Sequence, residues 1–402
     1  MKRLQNTIVQ PVGWAYLVLI GFTFAAAMLR DINLLMIVCC FMAGPFLLNW
    51  QTALMTLRGI EVRRSVPRTV CAGDPLVVDL SVSNTRRRGT SWCFSVHDTI
   101  ARLGEDDRLE GIQHAHVLIP RLPAGETITA HYQGRLEHRG RYRIGSLRLA
   151  AAFPLGLVQR NRLITQHDTL TVYPQLGQLT NRWDTLFRDA EQGSQHVHRR
   201  HGWQQGDFHS LRDWRQGDST RSIHWRTSAR KQQLMVRQFE QQANQDFVVL
   251  LSLWQPLQPG VCDRQHIETA VSLAATIAAD VCRRGGCRMK LGIGTKEPSW
   301  LDGPASTALY DEAMRRLAIA NSSAEDGLDT LLAKAVATSA PGAQIVVVSP
   351  RSVDLYDTNQ FAAAQAATPK HGWESRVLVL DTSSRQLDDF FHAPETGRRA
   401  AT

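Results

Sequence analysis

Several residue types able to do chemistry lie close together between His196 and Asp213, and each set can be held against what its chemistry demands. His196, His198 and His201 are of a type that binds zinc. They stand around Arg199 and Arg200, whose charge opposes a cation, and no Cys or carboxylate completes the set. His209, Ser210 and Asp213 supply the residue types of a hydrolytic triad, but neighbours in sequence rarely converge into one. Gly292-Ile293-Gly294-Thr295-Lys296 has the glycines and lysine of a phosphate loop without its Gly-x-x-x-x-Gly-Lys-Ser/Thr spacing or a helix start behind it. There is no Gly-x-Ser-x-Gly elbow, His-Glu-x-x-His or dinucleotide fingerprint. The chain is therefore expected to have no catalytic, metal-binding or cofactor-binding residues.

The stretch from Gly206 to Glu240 mixes large aromatics with charge more densely than any other. Seven Arg and three Asp fall between His196 and Arg230, alongside Trp203, Trp214 and Trp225. Such a mixture reads as a nucleic-acid patch or as an ion-pair network of interior and interface. The tryptophans favour the second, since indoles are driven to burial. Gly217-Asp218 is a turn, with Asp218 placed to cap a helix running to about Arg230. In that helix Arg221 stacks one turn from Trp225, and Ile223 and Trp225 reach a core. Beyond it, Leu234, Val236 and Gln238 alternate with Met235, Arg237 and Phe239 as in a strand.

The elements that position these residues follow from texture. Val12 to Leu29 and Ile32 to Leu48 are uncharged apolar runs of 18 and 17 residues separated by Arg30-Asp31. Each approaches the ~20 residues that cross a bilayer. With no small-residue cleavage pattern between them they read as a transmembrane hairpin, not a signal peptide, with Pro45 as a tolerated kink. Lys2 and Arg3 before it, and Arg58, Arg63, Arg64 and Arg68 after it, place both termini on the cytoplasmic side of the inner membrane. Residues 1–245 carry 31 Lys+Arg against 19 Asp+Glu, a net of +12, whereas 246–402 carry 15 against 18, a net of −3. The excess charge thus belongs to the membrane-proximal part, where anionic headgroups attract it. Seven cysteines without Cys-x-x-Cys form no disulfide framework or zinc signature and are expected as reduced, mostly buried thiols.

From about Gly59 to Gln166, short alternating segments such as Leu76 to Val82 and Thr127 to Tyr132 sit between Gly, Pro and Asn turns, the pattern of an antiparallel β-sandwich. Arg86-Arg87-Arg88-Gly89 is read as a solvated basic loop, and Pro154-Leu155-Gly156-Leu157 as a rigid turn ending the last strand. After the charged stretch, Phe247 to Leu251 is a strand buried on both faces. A helix from about Arg264 to Arg283, a strand at Met289 to Ile293, helices at Ser306 to Ile319 and Gly327 to Thr338, a strand at Ile345 to Val348, a short helix at Phe361 to Ala367 and a strand at Arg376 to Leu380 complete a doubly wound α/β sheet. The tail from Thr382 is expected to be loosely held.

Leu211-Arg212-Asp213-Trp214-Arg215-Gln216-Gly217-Asp218, Arg221-Ser222-Ile223-His224-Trp225 and Ala229-Arg230, with Gly206 and Phe208 ahead of them, resemble the signature of the domain of unknown function 58 family. His138 to Gly145, Phe153 to Leu157 and Val172-Tyr173-Pro174 resemble its lead-in. The resemblance implies a von Willebrand A-like core, in which the first strand ordinarily ends in Asp-x-Ser-x-Ser and binds a hard divalent cation. Here Ser252 stands in place of the Asp, Trp254 and Pro256 in place of the serines, and Pro350 follows the third strand where a further Asp is usual. The resemblance thus implies a scaffold that is kept and cation ligands that are lost.

The expected organisation is a transmembrane hairpin over 1–54, a β-sandwich over 55–175, a connector and signature segment over 176–245 and a von Willebrand A-like α/β domain over 246–402. By the same resemblance the expected function is that of a membrane-anchored, non-catalytic scaffold or adaptor that presents a protein-binding surface to the cytoplasm. Its implied partner is a MoxR-type AAA+ ATPase, in the assembly or maturation of protein complexes. A membrane-tethered nucleic-acid binder, with affinity falling steeply as salt rises, and an enzyme of unrecognised type are the alternatives.

Overall fold

The computed structural model describes residues 5–30, 32–104, 107–185, 207–215, 220, 223–240, 246–295, 297–340, 343–355, 361 and 377–394. The chain divides into two compact units, Met1–Tyr173 and Pro174–Thr402.

The first unit opens with a strand that the polar Gln5-Asn6-Thr7 conceals from sequence reading. β1 (Gln5–Val9) runs into α1 (Pro11–Arg30), whose first position suits Pro11 because its missing N–H would have had no partner. α2 (Asn33–Thr56) returns beside it and stays helical through Pro45. By length and composition both helices are able to cross a membrane. Large apolar side chains, Phe22, Leu29, Leu34 and Phe41 among them, are exposed along them.

Ten strands follow: β2 (Ile60–Ser65), β3 (Thr69–Cys71), β4 (Pro75–Asn84), β5 (Ser91–Leu103), β6 (Leu109–Leu122), β7 (Thr127–Arg135), β8 (Gly140–Ile144), β9 (Leu147–Ala151), β10 (Val158–Ile164) and β11 (Asp168–Tyr173). One sheet runs β2-β4-β7; the other runs β1-β10-β9-β5-β8-β11-β3, with β6 added on β5. All pairs are antiparallel except β3 with β11. Ile60, Val62, Leu80 and Val82 of the smaller sheet share a core with Phe94, Val96, Leu147 and Leu149 of the larger. A second cluster joins Leu76 and Val78 to Ile100, Ile144, Leu170 and Val172. The Phe153–Leu157 segment joins β9 to β10 and does not end the last strand.

Alternation along β2 turns Ile60, Val62 and Arg64 to the same buried side. Arg64 is consequently not a basic flank of the hairpin. Its Nη1 donates to Asp98 at 2.8 Å and to the Gly145 carbonyl at 2.9 Å, while Nε and Nη2 donate to Asp168 at 2.9 and 2.6 Å. The Tyr132 hydroxyl donates to the second oxygen of Asp98 at 2.7 Å, and burial together with that carboxylate pushes the phenol pKa up, so it remains a donor. Tyr132 also packs against both apolar clusters.

Arg86 is a helix cap and not a solvated loop residue. It donates to the Met55 carbonyl at 3.0 Å, Ser91 Oγ donates to Thr56 at 2.8 Å, and Arg162 donates to Leu57 at 3.0 Å and Ile60 at 2.7 Å. The last carbonyls of a helix lack partners within it, and cationic donors suit that negative end. Arg87 and Arg88 remain exposed.

The second unit holds β12 (Gln178–Leu179), β13 (Asp207–Asp213), α3 (Trp225–Lys231), β14 (Met235–Glu240), β15 (Asp246–Ser252), α4 (Val261–Arg284), β16 (Arg288–Gly294), β17 (Ser299–Pro304), α5 (Thr307–Ile319), α6 (Leu328–Thr338), β18 (Gln344–Ser349), β19 (Val377–Asp381) and β20 (Phe391–His392). Its main sheet has the order β17-β16-β15-β18-β19 and is parallel apart from β17. Phe247 to Leu251 is buried on both faces, as its unbroken apolar run demands. Leu328, Leu331, Leu332 and Ala335 of α6 pack against Val248, Leu250, Ile345 and Val347. α4 lies on the other face, where Trp183, bonded to Asp280 of α4 at 3.2 Å, meets the ring of Phe247. Sequence reading misses β17, since Gly303 and Pro304 weaken its strand signal.

Two further expectations change, and a third falls outside the described residues. The tail from Thr382 is held, not loose, over its described part to Pro394: Thr382 Oγ1 donates to the His266 carbonyl at 2.9 Å, and β20 pairs with β12. Of the free cysteines, Cys39 is buried but Cys40, Cys93 and Cys262 are exposed. The helix expected at Phe361 to Ala367 lies outside the described residues except for Phe361, which is buried.

Removing one partner from the Arg64 network leaves an uncompensated charge in the core, so Asp98→Ala is expected to destabilise the sandwich by about 3–5 kcal/mol. Combining Asp98→Asn, which still accepts from Tyr132, with Arg64→Met should recover most of that loss. Urea unfolding of the two variants checks both; equal losses would mean the charges are not coupled.

Candidate functional site

Two places in the second unit gather the residues singled out in the sequence. In the first, β13 and β14 form an antiparallel ribbon in which Arg212 lies opposite Val236, and the Trp214 N–H donates to the Leu234 carbonyl at 2.8 Å. The intervening helix does not start behind Asp218. α3 begins at Trp225, and His224 caps it, its Nδ1 accepting from the Thr227 N–H at 3.3 Å. Gly217, Asp218 and Arg221 lie outside the described residues, and with them the stacking of Arg221 on Trp225.

Ser228 ties α3 to the ribbon: its Oγ accepts from the Met235 N–H at 2.8 Å and donates to the His224 carbonyl at 3.1 Å. Ile223 is buried as expected. Trp225 is not, with 65% of its surface exposed. The register explains the difference, because a helix that starts at Trp225 leaves the indole on its open first turn. Ala229 and Arg230 are also exposed. β14 begins at Met235, and Met235 and Val236 are both buried while Leu234 is exposed, so the expected alternation from Leu234 does not hold. Trp214 is half-buried, and its Nε1 has no partner among the described residues.

The second place is the end of the main sheet. Leaving β15 the chain turns to β16 on one side and later returns to β18 on the other, and ligand sites in open α/β sheets form at such reversals of strand order, beyond the carboxyl ends of the strands. Ser252, Trp254, Pro256 and Pro350 are all brought here. Ser252 is buried and its Oγ accepts from the Trp254 N–H at 3.4 Å. The chain beyond it pairs with the loop ahead of α6: Ser323 N–H donates to the Leu253 carbonyl at 3.0 Å, and Gln255 N–H to the Ser323 carbonyl at 2.9 Å. Pro350 is buried, and Ser349 Oγ accepts from the Arg351 N–H at 3.2 Å.

Arg351 was not singled out in the sequence, although it stands directly after Pro350. Its guanidinium carbon lies 4.2 Å from the centre of the Trp254 ring, and its Nη2 is paired with Asp326. A tethered cation therefore covers the indole face at the switch point. Two carboxylates elsewhere in the unit, Asp263 and Asp302, have partners of their own. Asp263 accepts from the Gly260 N–H at 2.8 Å at the start of α4, and Asp302 pairs with Arg288 at 2.6 Å. Beyond Trp254, Leu257 is 90% and Val261 75% exposed.

The triad types find no support in the fold as a catalytic set, since His209, Ser210 and Asp213 run along a single strand. His196, His198 and His201 lie outside the described residues, as does Lys296 of the glycine-rich loop. A cavity of about 490 Å³ lies against α4, lined by Gln178, Asp184, Thr276, Asp280 and Arg284 among others. Both of its carboxylates are occupied by structure: Asp280 accepts from Trp183, from Arg283 at 2.6 Å and from Arg284 at 2.8 Å, and Asp184 pairs with Arg284.

A family model described as Protein of unknown function DUF58 matches residues 210–349. The DUF58 match thus runs from the β13–β14 ribbon to the end of β18, covering Ser252, Trp254 and Asp326 and stopping just short of Pro350 and Arg351. The uncharacterized protein YeaD of Bacillus subtilis (strain 168) is 25% identical over 279 residues, which are 68% of this chain and 66% of that protein, just under two thirds of its length. Among solved structures, a β-glucosidase from Listeria innocua is 14% identical with a TM-score of 0.20, covering 28% of this chain and 16% of its own. The CARDB domain of PF1109 from Pyrococcus furiosus is 14% identical with a TM-score of 0.18, covering 28% and 94%. The C-terminal domain of wzt is 12% identical with a TM-score of 0.22, covering 29% and 75%. Likenesses of this size assign neither fold nor activity to the chain.

Exposure sets the expected cost of substitution in the DUF58 segment. Trp225→Ala should change stability by no more than about 0.5 kcal/mol. Ile223→Ala, in the buried position next to it, should cost about 2–5 kcal/mol. Thermal unfolding distinguishes the two; a large loss for Trp225→Ala would mean that the indole is packed.

Proposed function

We propose that this chain is a membrane-anchored, non-catalytic adaptor whose α/β unit, von Willebrand A-like in layout, offers a protein-docking surface at the end of its parallel sheet. The observation that carries the reading is the Arg351–Trp254–Asp326 cluster at the switch point, with Leu257 and Val261 exposed beside it. A guanidinium stands beside Trp254, where a hard cation would need anionic oxygens, and the chain that continues from Trp254 exposes Leu257 and Val261. The strand order, with its one antiparallel edge strand, supports the von Willebrand A-like layout, and the two long apolar helices support the anchor, both ends of which are taken to face the cytoplasm. The partner class is a MoxR-type AAA+ ATPase, on the strength of the family resemblance.

Co-purification from native membranes tests the docking surface. An ATPase of that type should be recovered with the intact chain and be lost with Leu257→Glu or Arg351→Glu, while Trp225→Ala retains it. Recovery that ignores both changes at the switch point would sink the assignment.

The same geometry predicts that the chain binds no magnesium there. Ser252 offers one neutral hydroxyl, Trp254 only donates, and Pro256 and Pro350 have no ligand side chain, whereas magnesium gives up its water reluctantly. Calorimetry with millimolar magnesium should show no saturable heat. Saturable binding that disappears on Ser252→Ala would overturn this.

A further inference from the structure

The loop between β9 and β10 is clamped to both apolar helices. Asn49, wholly buried in α2, accepts from the Leu157 and Val158 N–H groups at 2.9 and 3.0 Å and donates to the Phe153 carbonyl at 3.0 Å. Thr52 Oγ1 donates to the same carbonyl at 3.1 Å, and the Gln10 N–H to the Leu157 carbonyl at 3.0 Å. At Gly13 of α1 a Cβ would lie 2.2 Å from the Leu157 oxygen, so the helix meets the loop only because residue 13 has no side chain.

These contacts fix the height of the loop. Asn49 lies seven residues before the end of α2, about 10 Å at the helical rise, and Gly13 only two residues, about 3 Å, inside α1. α1 has 20 residues, about 30 Å, which matches the hydrocarbon thickness of a bilayer. If α1 spans that thickness, the loop sits where hydrocarbon gives way to headgroups. What is exposed there suits that depth: Leu155 of the loop is 51% exposed, and Trp92 of β5, 43% exposed, stacks on Phe153 at 6.5 Å and has the Arg121 guanidinium over its ring at 5.2 Å. Trp14 and Trp50 are exposed at the same level of the two helices, as in the aromatic belts of membrane proteins. Below them Arg58, Arg87 and Arg88 are exposed at the end of α2, whose carbonyls are already satisfied by Arg86, Ser91 and Arg162.

We propose that this end of the sandwich is a membrane-binding face, seated in the interface of an anionic bilayer with Leu155 at the acyl boundary and Arg58, Arg87, Arg88 and Arg121 on lipid phosphates. The proposal rests on α1 and α2 spanning the membrane, and it makes the sandwich a body fixed on the leaflet, not one hanging from a tether.

Photo-crosslinking of the full chain in vesicles of phosphatidylglycerol and phosphatidylcholine tests it. p-Benzoylphenylalanine is placed at Leu155, at Phe22 within α1, or at Leu109, which is 49% exposed and lies at the far end of β6, about 40 Å from Leu122 by strand rise. Lipid adducts are expected at 22 and at 155 within about twofold of each other, at background for 109, and enriched at 155 in phosphatidylglycerol over its bulk fraction. Adducts at 22 without 155 overturn the seating and leave the span intact. Adducts at neither overturn both, equal labelling at 109 overturns the orientation, and adducts in bulk lipid proportion overturn the phosphate contacts.

Discussion

The first unit depends on a charge in its core. Arg64 is fully buried, and removing a guanidinium from water is offset only when its hydrogen bonds are met with good geometry. Here Asp98, Asp168 and the Gly145 carbonyl meet them, and Tyr132 occupies the remaining oxygen of Asp98. The partners come from β2, β5, β7 and β11, so four strands in two sheets are committed to one register. A slip of one residue in β2 would point Arg64 at solvent and leave two carboxylates without their cation. An apolar residue at 64 would tolerate such slips better, which is why the network specifies the sandwich more than it stabilises it.

The register of β2 has a consequence for α2, since only Leu57, Arg58 and Gly59 separate them. Once β2 is placed, the end of α2 is delivered to Arg86, Ser91 and Arg162, which satisfy its last carbonyls. At the other side of the hairpin β1 joins β10 and runs straight into α1. The hairpin is thus held at both of its chain connections and again at Asn49, leaving no free linker between helices and sandwich. A body joined in this way moves with its helices.

What was legible in the sequence was legible where a residue's environment depends on its near neighbours. Phe247 to Leu251 could only be a strand buried on both faces, and Ser306 announced α5 by capping it, accepting from the Leu309 N–H at 3.3 Å. What was missed depends on distant partners. Arg64 is 34 residues from Asp98 and 104 from Asp168, so its place among the apolar positions of β2 looked like a basic flank. Trp225 was misplaced because Asp218 is a good cap by type, while the helix start was decided by His224 and by the bond from Met235 to Ser228. β1 and β17 are edge strands with polar or turn-forming residues, and pairing alone makes them strands. At the switch point Ser252, Trp254 and Pro350 were found by position, but Arg351 and Asp326 were not, because their meeting depends on the loop ahead of α6.

That meeting changes what the end of the sheet can do. A bound divalent ion would exchange with the medium and bring more positive charge than its ligands cancel. Arg351 cannot leave, and Asp326 already neutralises much of it. Any acidic group that approaches must displace Asp326 or share the guanidinium, whose Nε is buried and has no partner among the described residues. The electrostatic gain is therefore an exchange of one carboxylate for another, worth little by itself. On the docking role proposed above, binding would draw its free energy from covering Leu257, Val261 and the edge of Trp254, with Arg351 deciding which partner fits and not how tightly it holds.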